Sequence, residues 1–129
     1  VIYINKHNEP QWLREFKRKS PKADYDSAVF AGYKTELKRE LLREQKYLCA
    51  YCCCKIDMEK SHTEHIEPRH PKNGVSNRSL DYHNLVASCY GFQGEKTCGS
   101  KKKNEYDESN EEMEPFMNVV KWYLKHGIC

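Results

Sequence analysis

With 129 residues, a hydrophobic fraction of 38% and a mean hydropathy of -0.97, the chain is long enough for one domain with a thin core. No run nears the roughly 18 apolar residues of a spanning helix, and Val1-Ile2-Tyr3-Ile4 is too short for a signal sequence, so no membrane association and a cytoplasmic location are expected. The net charge of +3 is uneven: residues 1–103 hold 20 Lys+Arg against 13 Asp+Glu, residues 104–129 hold 2 against 6, and the basic part suits a polyanionic partner.

In chain order, Asn8-Glu9-Pro10 ahead of Trp12 and Phe16 suits a helix start, with a capping amide and an early proline. Residues 20–33 mix Pro21, Asp24, Asp26 and Gly32 without periodicity and read as a loop. Tyr33, Leu37, Leu41 and Leu48 recur at helical spacing, predicting a helix from about Tyr33 to Lys46 with Glu40 and Arg43 paired on its wet side. Thr63 to Ile66 and Leu85 to Ser88 read as strands either side of a polar loop from Pro68 to Arg78. After the acidic stretch from Glu105 to Glu114, Phe116, Val119, Val120, Tyr123 and Leu124 form a last helical stripe closed by Gly127. The regions are then 1–48, helical; 49–104, the core; and 105–129, an acidic linker and C-terminal helix, all within one structural domain. The Trp12/Phe16 stripe and the terminal stripe are each read as core or as a docking face.

Seven cysteines in an odd, clustered arrangement favour metal over disulfides in a reducing compartment. Cys49-Ala-Tyr-Cys52 has the spacing that lets two thiolates take adjacent corners of a tetrahedron, and Cys89 and Cys98 supply the other two. Gly91 and Gly94 let the insert between that second pair loop out. Cys53 and Cys54 compete with Cys52 for the second position, and Cys129 has no evident role. Such a zinc knot would fix two segments remote in sequence. The Glu64-His65 dipeptide and the Asn84 amide between them would then converge on a phosphodiester.

The order Cys-x2-Cys, Glu64-His65-Ile66-Glu67-Pro68, Asn84-Leu85 and a final cysteine pair resembles the HNH endonucleases. The wider text, from Glu44-Gln45-Lys46-Tyr47-Leu48-Cys49 through Leu80-Asp81-Tyr82-His83-Asn84-Leu85 to Cys98-Gly99-Ser100-Lys101-Lys102, is similar to the HNH subunit of retron-associated and Septu-type antiphage systems. The resemblance runs from about Ile4 to Asn104, and related subunits usually continue further. It implies an α+β fold, a zinc-stapled treble-clef ββα-metal core flanked by N- and C-terminal helices.

It also implies roles. His65 is the general base, with a pKa near 6.5 that leaves it partly neutral at pH 7. Glu64 ligates a catalytic Mg2+ or Mn2+, while zinc keeps the thiolates. Asn84 orients the His65 loop. The histidine or asparagine usual after the last knuckle cysteine is replaced by Gly99 and Ser100, so the second ligand of the catalytic metal is Asn104, Asp107 or water. Lys101, Lys102 and Lys103 are expected on phosphates. His62, His70 and His83 read as surface residues, and Tyr90 and Phe92 either stack on bases or pack against the zinc site. The implied partners are a nucleic-acid substrate, DNA or RNA, a Septu-type ATPase and, in retron systems, a reverse transcriptase with its RNA-DNA product. The rival readings are a non-catalytic zinc module that binds nucleic acid or a partner, and a redox or metal-buffering protein using Cys52, Cys53 and Cys54.

Overall fold

Leu13 and Phe16, three residues apart, turn to one side of a helix only if the chain winds from the start of that segment, and it does so in α1 (Gln11–Lys19), where both are buried. The computed structural model describes residues 4–70, 77–91 and 98. The expected Asn8 cap is not used: Pro10 itself is the N-cap, with φ -56° and ψ 141°, and its carbonyl accepts from the amides of Leu13 and Arg14, both at 3.1 Å. Its ring presets φ, so the chain enters the helix without a side-chain cap. The last turn carries Lys17, Arg18 and Lys19 against the negative end of the helix.

The stretch expected to be a loop closes with a 3-10 helix at Ala28–Tyr33 that buries Phe30 and runs directly into α2 (Lys34–Glu44). Rings of Phe16, Tyr25, Phe30 and Tyr33 gather there, with centroids 5.0–5.9 Å apart. A three-residue period carrying one buried side chain leaves no amphipathic signature to read. In α2, Leu37, Leu41 and Leu42 are fully buried, and Glu40 and Arg43 lie 3.7 Å apart on the wet face, as the spacing predicted.

The helix stops two residues short of Lys46. Lys46 and Tyr47 are left-handed, with φ 54° and 60°, and their amides bond back to the carbonyls of Arg43 and Leu42 at 3.1 and 2.9 Å. This is a Schellman termination in which lysine takes the place usually held by glycine.

The reversal delivers the chain to a knuckle, Cys49 to Cys54, closed by a Leu48–Lys55 bridge and by Cys49 N–H donating to the Cys54 carbonyl at 2.8 Å. Beyond it, β1 (Ser61–His65) pairs antiparallel with β2 (Leu85–Cys89) in the register Ser61–Cys89 to His65–Leu85. Both fall within a residue or two of the expected strands. Apolar residues of α1, the 3-10 helix, α2, the knuckle and the hairpin, together with Cys98, form one cluster. The predicted C-terminal helix and the acidic linker lie outside the described residues.

Candidate functional site

The two ends of the hairpin carry different chemistry. At one end Cys89, paired with Ser61, meets the knuckle; at the other His65 is paired with Leu85. The sulfurs of Cys49, Cys52, Cys89 and Cys98 all lie within 4.8 Å of one another. Tetrahedral zinc with Zn–S bonds of about 2.3 Å sets neighbouring sulfurs about 3.8 Å apart, and Cys52 and Cys89 are separated by 3.8 Å. The donor set therefore fits the ion.

Cys49, fully buried, is held down to about 4, first by its hydrogen bond with Cys98 and then, against desolvation, by backbone amides of Cys89, Cys52 and Tyr51. Donors on a sulfur favour the thiolate that a metal requires. Of the three competing cysteines, Cys52 lies in the group, while Cys53 and Cys54 are exposed. Cys54 Sγ sits 3.2 Å from Cys52 Sγ. Desolvation, that hydrogen bond and the neighbouring sulfurs push the Cys54 thiol far up, which makes it the protonated companion of Cys52. Cys53 occupies a left-handed position, φ 65°, and its amide donates to the Cys49 carbonyl at 3.1 Å.

The outer edge of β2 is covered by side chains. Gln45, buried at the end of α2, accepts from Ala87 N–H at 2.7 Å and donates to the Ala87 carbonyl at 2.9 Å, so its amide acts as one rung of a missing strand. Its Nε2 also donates to the Leu48 carbonyl at 2.9 Å, and Ala50 N–H reaches the Ala87 carbonyl at 3.1 Å. Cys89 N–H points at Cys49 Sγ, 3.4 Å away, and Lys6 Nζ donates to the Leu85 carbonyl at 2.8 Å. Alternation along an antiparallel strand turns these groups away from β1. Nothing in the local sequence except a glutamine just before the knuckle marks this role.

Lys6 is itself held by Glu44 at 2.7 Å, and Glu44 accepts from Tyr82 Oη at 2.9 Å and from His7 N–H at 2.8 Å. Burial pulls the Lys6 ammonium below its ordinary range against the attraction of Glu44. Desolvation and the same carboxylate push the Tyr82 phenol well above its own.

At the other end Glu64 and His65 are both buried, 7% and 6% exposed. His65 Nε2 lies 2.9 Å from the Ser79 carbonyl. A carbonyl only accepts, so Nε2 carries the proton and Nδ1 is the basic nitrogen. The imidazole packs edge-on against Tyr25, with centroids 4.7 Å apart and planes at 82°. Asn84, fully buried, fixes the chain just beyond. Its Oδ1 accepts from Glu67 N–H at 2.8 Å, its Nδ2 donates to the carbonyls of Glu67 and Arg78 at 3.0 and 3.2 Å, and its own carbonyl takes Ile66 N–H at 3.0 Å. Arg78 forks onto Asp81 at 2.6 and 2.8 Å and holds the loop that presents Ser79.

Glu64, His65 and Asn84 thus lie at one end of the hairpin and the four cysteines at the other. His62 is half-buried, packs on Tyr90 at 5.0 Å and does not join the sulfurs; His70 and His83 are exposed. Asn104, Asp107, Phe92 and Lys101 to Lys103 lie outside the described residues. Tyr25 and Gln45 are the contributors that sequence reasoning missed. Among the described residues no helix is long and apolar enough to cross a membrane.

No family model matches the chain. Over 97 residues it is 35% identical to the retron Ec83 putative HNH endonuclease of Escherichia coli, an alignment covering 68% of this chain and 37% of the relative. Over 103 residues it is 27% identical to the Septu protein PtuB of Bacillus thuringiensis, covering 80% of this chain and 40% of that protein. The chain therefore spans about two fifths of the curated relatives it matches. A likeness to the crystal structure of the Type II-C Cas9 enzyme from Actinomyces naeslundii covers 60% of this chain and 7% of that one at 28% identity, with a TM-score of 0.36, too low to bear on the fold.

Proposed function

The chain belongs to the HNH family of the retron-associated and Septu type, and on that premise we propose that it is a metal-dependent endonuclease that hydrolyses nucleic-acid phosphodiester bonds. The observation that carries the reading is the His65 environment. A proton fixed on Nε2 by the Ser79 carbonyl leaves Nδ1 as a base of defined tautomer, on a backbone that Asn84 clamps from both sides of Glu67.

In this reading His65 takes a proton from the attacking water at Nδ1, and Glu64 is the protein's ligand for Mg2+ or Mn2+, with Asn104 proposed as a second. When bound, that ion supplies charge stabilisation for the phosphate and the leaving 3′-oxygen. The Glu64 carboxylate fits a hard cation that keeps several of its waters and needs only one or two carboxylates. The thiolates of Cys49, Cys52, Cys89 and Cys98 suit zinc instead, which would hold the knuckle against β2 without taking part in the reaction. The wider role proposed is that of effector subunit in a retron or Septu-type defence complex. A Septu-type ATPase, a retron reverse transcriptase with its RNA-DNA product, and nucleic-acid contacts by Lys101, Lys102 and Lys103 belong to the same proposal, as does the treble-clef core.

Cleavage of nucleic acid by the zinc-loaded protein with added Mg2+ or Mn2+ tests it. His65→Ala is expected to lower the rate by about 10²–10⁴-fold while leaving zinc content and oligonucleotide affinity unchanged. Equal rates in the two proteins would remove His65 from the chemistry. Retained affinity with no cleavage by either would favour a non-catalytic zinc module.

A further inference from the structure

Tyr25 has a second face to its role. The residue that packs against His65 also lines a cavity of about 210 Å3, together with Lys34 and Thr35 from the first turn of α2, Lys38 one turn on, His62 and Thr63 of β1, and Tyr90 just past β2. We propose that this groove seats a single strand of nucleic acid and leads it past Tyr25 to His65. The proposal deepens the nuclease reading and rests on it for what happens at the His65 end.

Charge is the first argument. Among the described residues the wall holds two ammonium groups and no carboxylate. Lys38 Nζ donates to the carbonyls of Met58 and Ser61, at 2.6 and 3.1 Å, and Lys34 Nζ lies 4.4 Å from the Tyr25 ring centroid. Among the described residues neither lysine has an acidic partner, so their charge is left for a ligand to neutralise. The contrast with the neighbouring cleft, lined by Lys17, Asp24, Ser79 and Asp81 among others, is direct: that one puts two carboxylates in the path of a phosphate.

Aromatic surface is the second. Tyr90 is 57% exposed and rests on His62, with centroids 5.0 Å apart and planes at 35°. An exposed ring backed by another is a platform on which a base can stack, whatever its sequence.

Size is the third. The groove is open and small, about 210 Å3 against the roughly 300–1,000 Å3 that hold a drug-sized ligand, so it engages a strand locally and leaves the rest of the chain outside. A single strand can lay its phosphates along Lys34 and Lys38 and one base on Tyr90. A duplex keeps its bases inside and offers Tyr90 nothing to stack on.

The test measures binding of fluorescent single-stranded DNA, single-stranded RNA and duplex of matched sequence to the zinc-loaded full chain. A His65→Ala background prevents cleavage, and a salt series accompanies each titration. Lys34→Glu and Tyr90→Ala are each expected to weaken single-strand binding by about tenfold, Lys34→Glu also flattening the salt dependence, with thermal melting confirming that both fold. Lys22→Glu, an equal change of charge on an exposed residue outside the groove, serves as the control. Single-strand affinity that survives both groove changes, falls no further than in the control, or is exceeded by duplex affinity would overturn the proposal. The DNA and RNA arms say which strand is preferred. A cleavage rate indifferent to His65 would instead sink the catalytic reading and leave the binding result standing.

Discussion

Asn84 shows how one side chain can hold a site without touching its chemistry. Its amide answers both polar groups of Glu67 and shares the carbonyl of Arg78 with Asp81 N–H, so Asn84→Ala would strip both part-buried backbone groups of Glu67 of their partner and take one of two donors from the Arg78 carbonyl. We expect a loss of about 3 kcal/mol in unfolding free energy, measured by denaturant titration. A loss under about 0.5 kcal/mol would mean that water replaces the amide. Cys53 predicts the opposite sign. It sits at φ 65° with an exposed side chain outside the sulfur group, so Cys53→Gly should stabilise the zinc-loaded protein by about 0.5–1 kcal/mol. The left-handed φ could not be read from the sequence, because the middle one of three consecutive cysteines looks like a ligand before it looks like a turn. The placement of the candidate residues Glu64, His65 and Asn84 near one another was legible in their order, whereas Tyr25 reaches His65 from a segment with no periodicity to announce it.

At the scale of elements, the hairpin is short and its exposed edge would be an open invitation to pairing. The chain closes that edge with side chains: Lys6 at Leu85, Gln45 at Ala87 and the Cys49 sulfur at Cys89. Gln45→Met, of similar volume, removes three hydrogen bonds at once and should cost about 3 kcal/mol. It should also speed exchange of the Ala87 amide more than that of the Val86 amide, which hydrogen-exchange mass spectrometry or NMR can follow. Uniform acceleration along β2 would instead indicate loss of the whole sheet. α2 was visible as a pattern because its burial follows the helical period, whereas β2 is buried at every position and β1 does not alternate, so the strands showed only as short runs either side of a polar loop. The 3-10 helix was not visible, since only Phe30 marks it, and the Schellman end of α2 hid behind a lysine where glycine is the usual signal.

At the scale of the molecule, one apolar cluster spans both helices, the knuckle and the hairpin, and the sulfur group ties Cys98 into it. With Cys49 at about 4 in the folded chain against an ordinary 9.0, its contribution to stability is fully present above pH 9 and is lost as pH falls toward 4. Stripped of metal, the protein should therefore melt at progressively lower temperature from pH 9 to about pH 5.5, and Cys49→Ser should flatten that slope. A slope unchanged in the serine variant would assign it to other groups. Adding zinc should raise the melting temperature and release protons on binding. The clamp joins residues nearly fifty positions apart, so its partners were readable from spacing, while the choice of Cys52 over its two neighbours needed the fold of the knuckle.

A thiolate clamp that holds the knuckle to β2, and so fixes the hairpin whose far end carries Glu64 and His65, is the premise for the nuclease reading. X-ray absorption at the zinc edge of the purified protein tests it most directly. Four sulfur neighbours at about 2.3 Å, falling to three when Cys98 is changed to Ser but unaltered in Cys54→Ser, is the predicted result. A shell dominated by nitrogen or oxygen, or one that loses a sulfur with Cys54 and keeps four without Cys98, would contradict it.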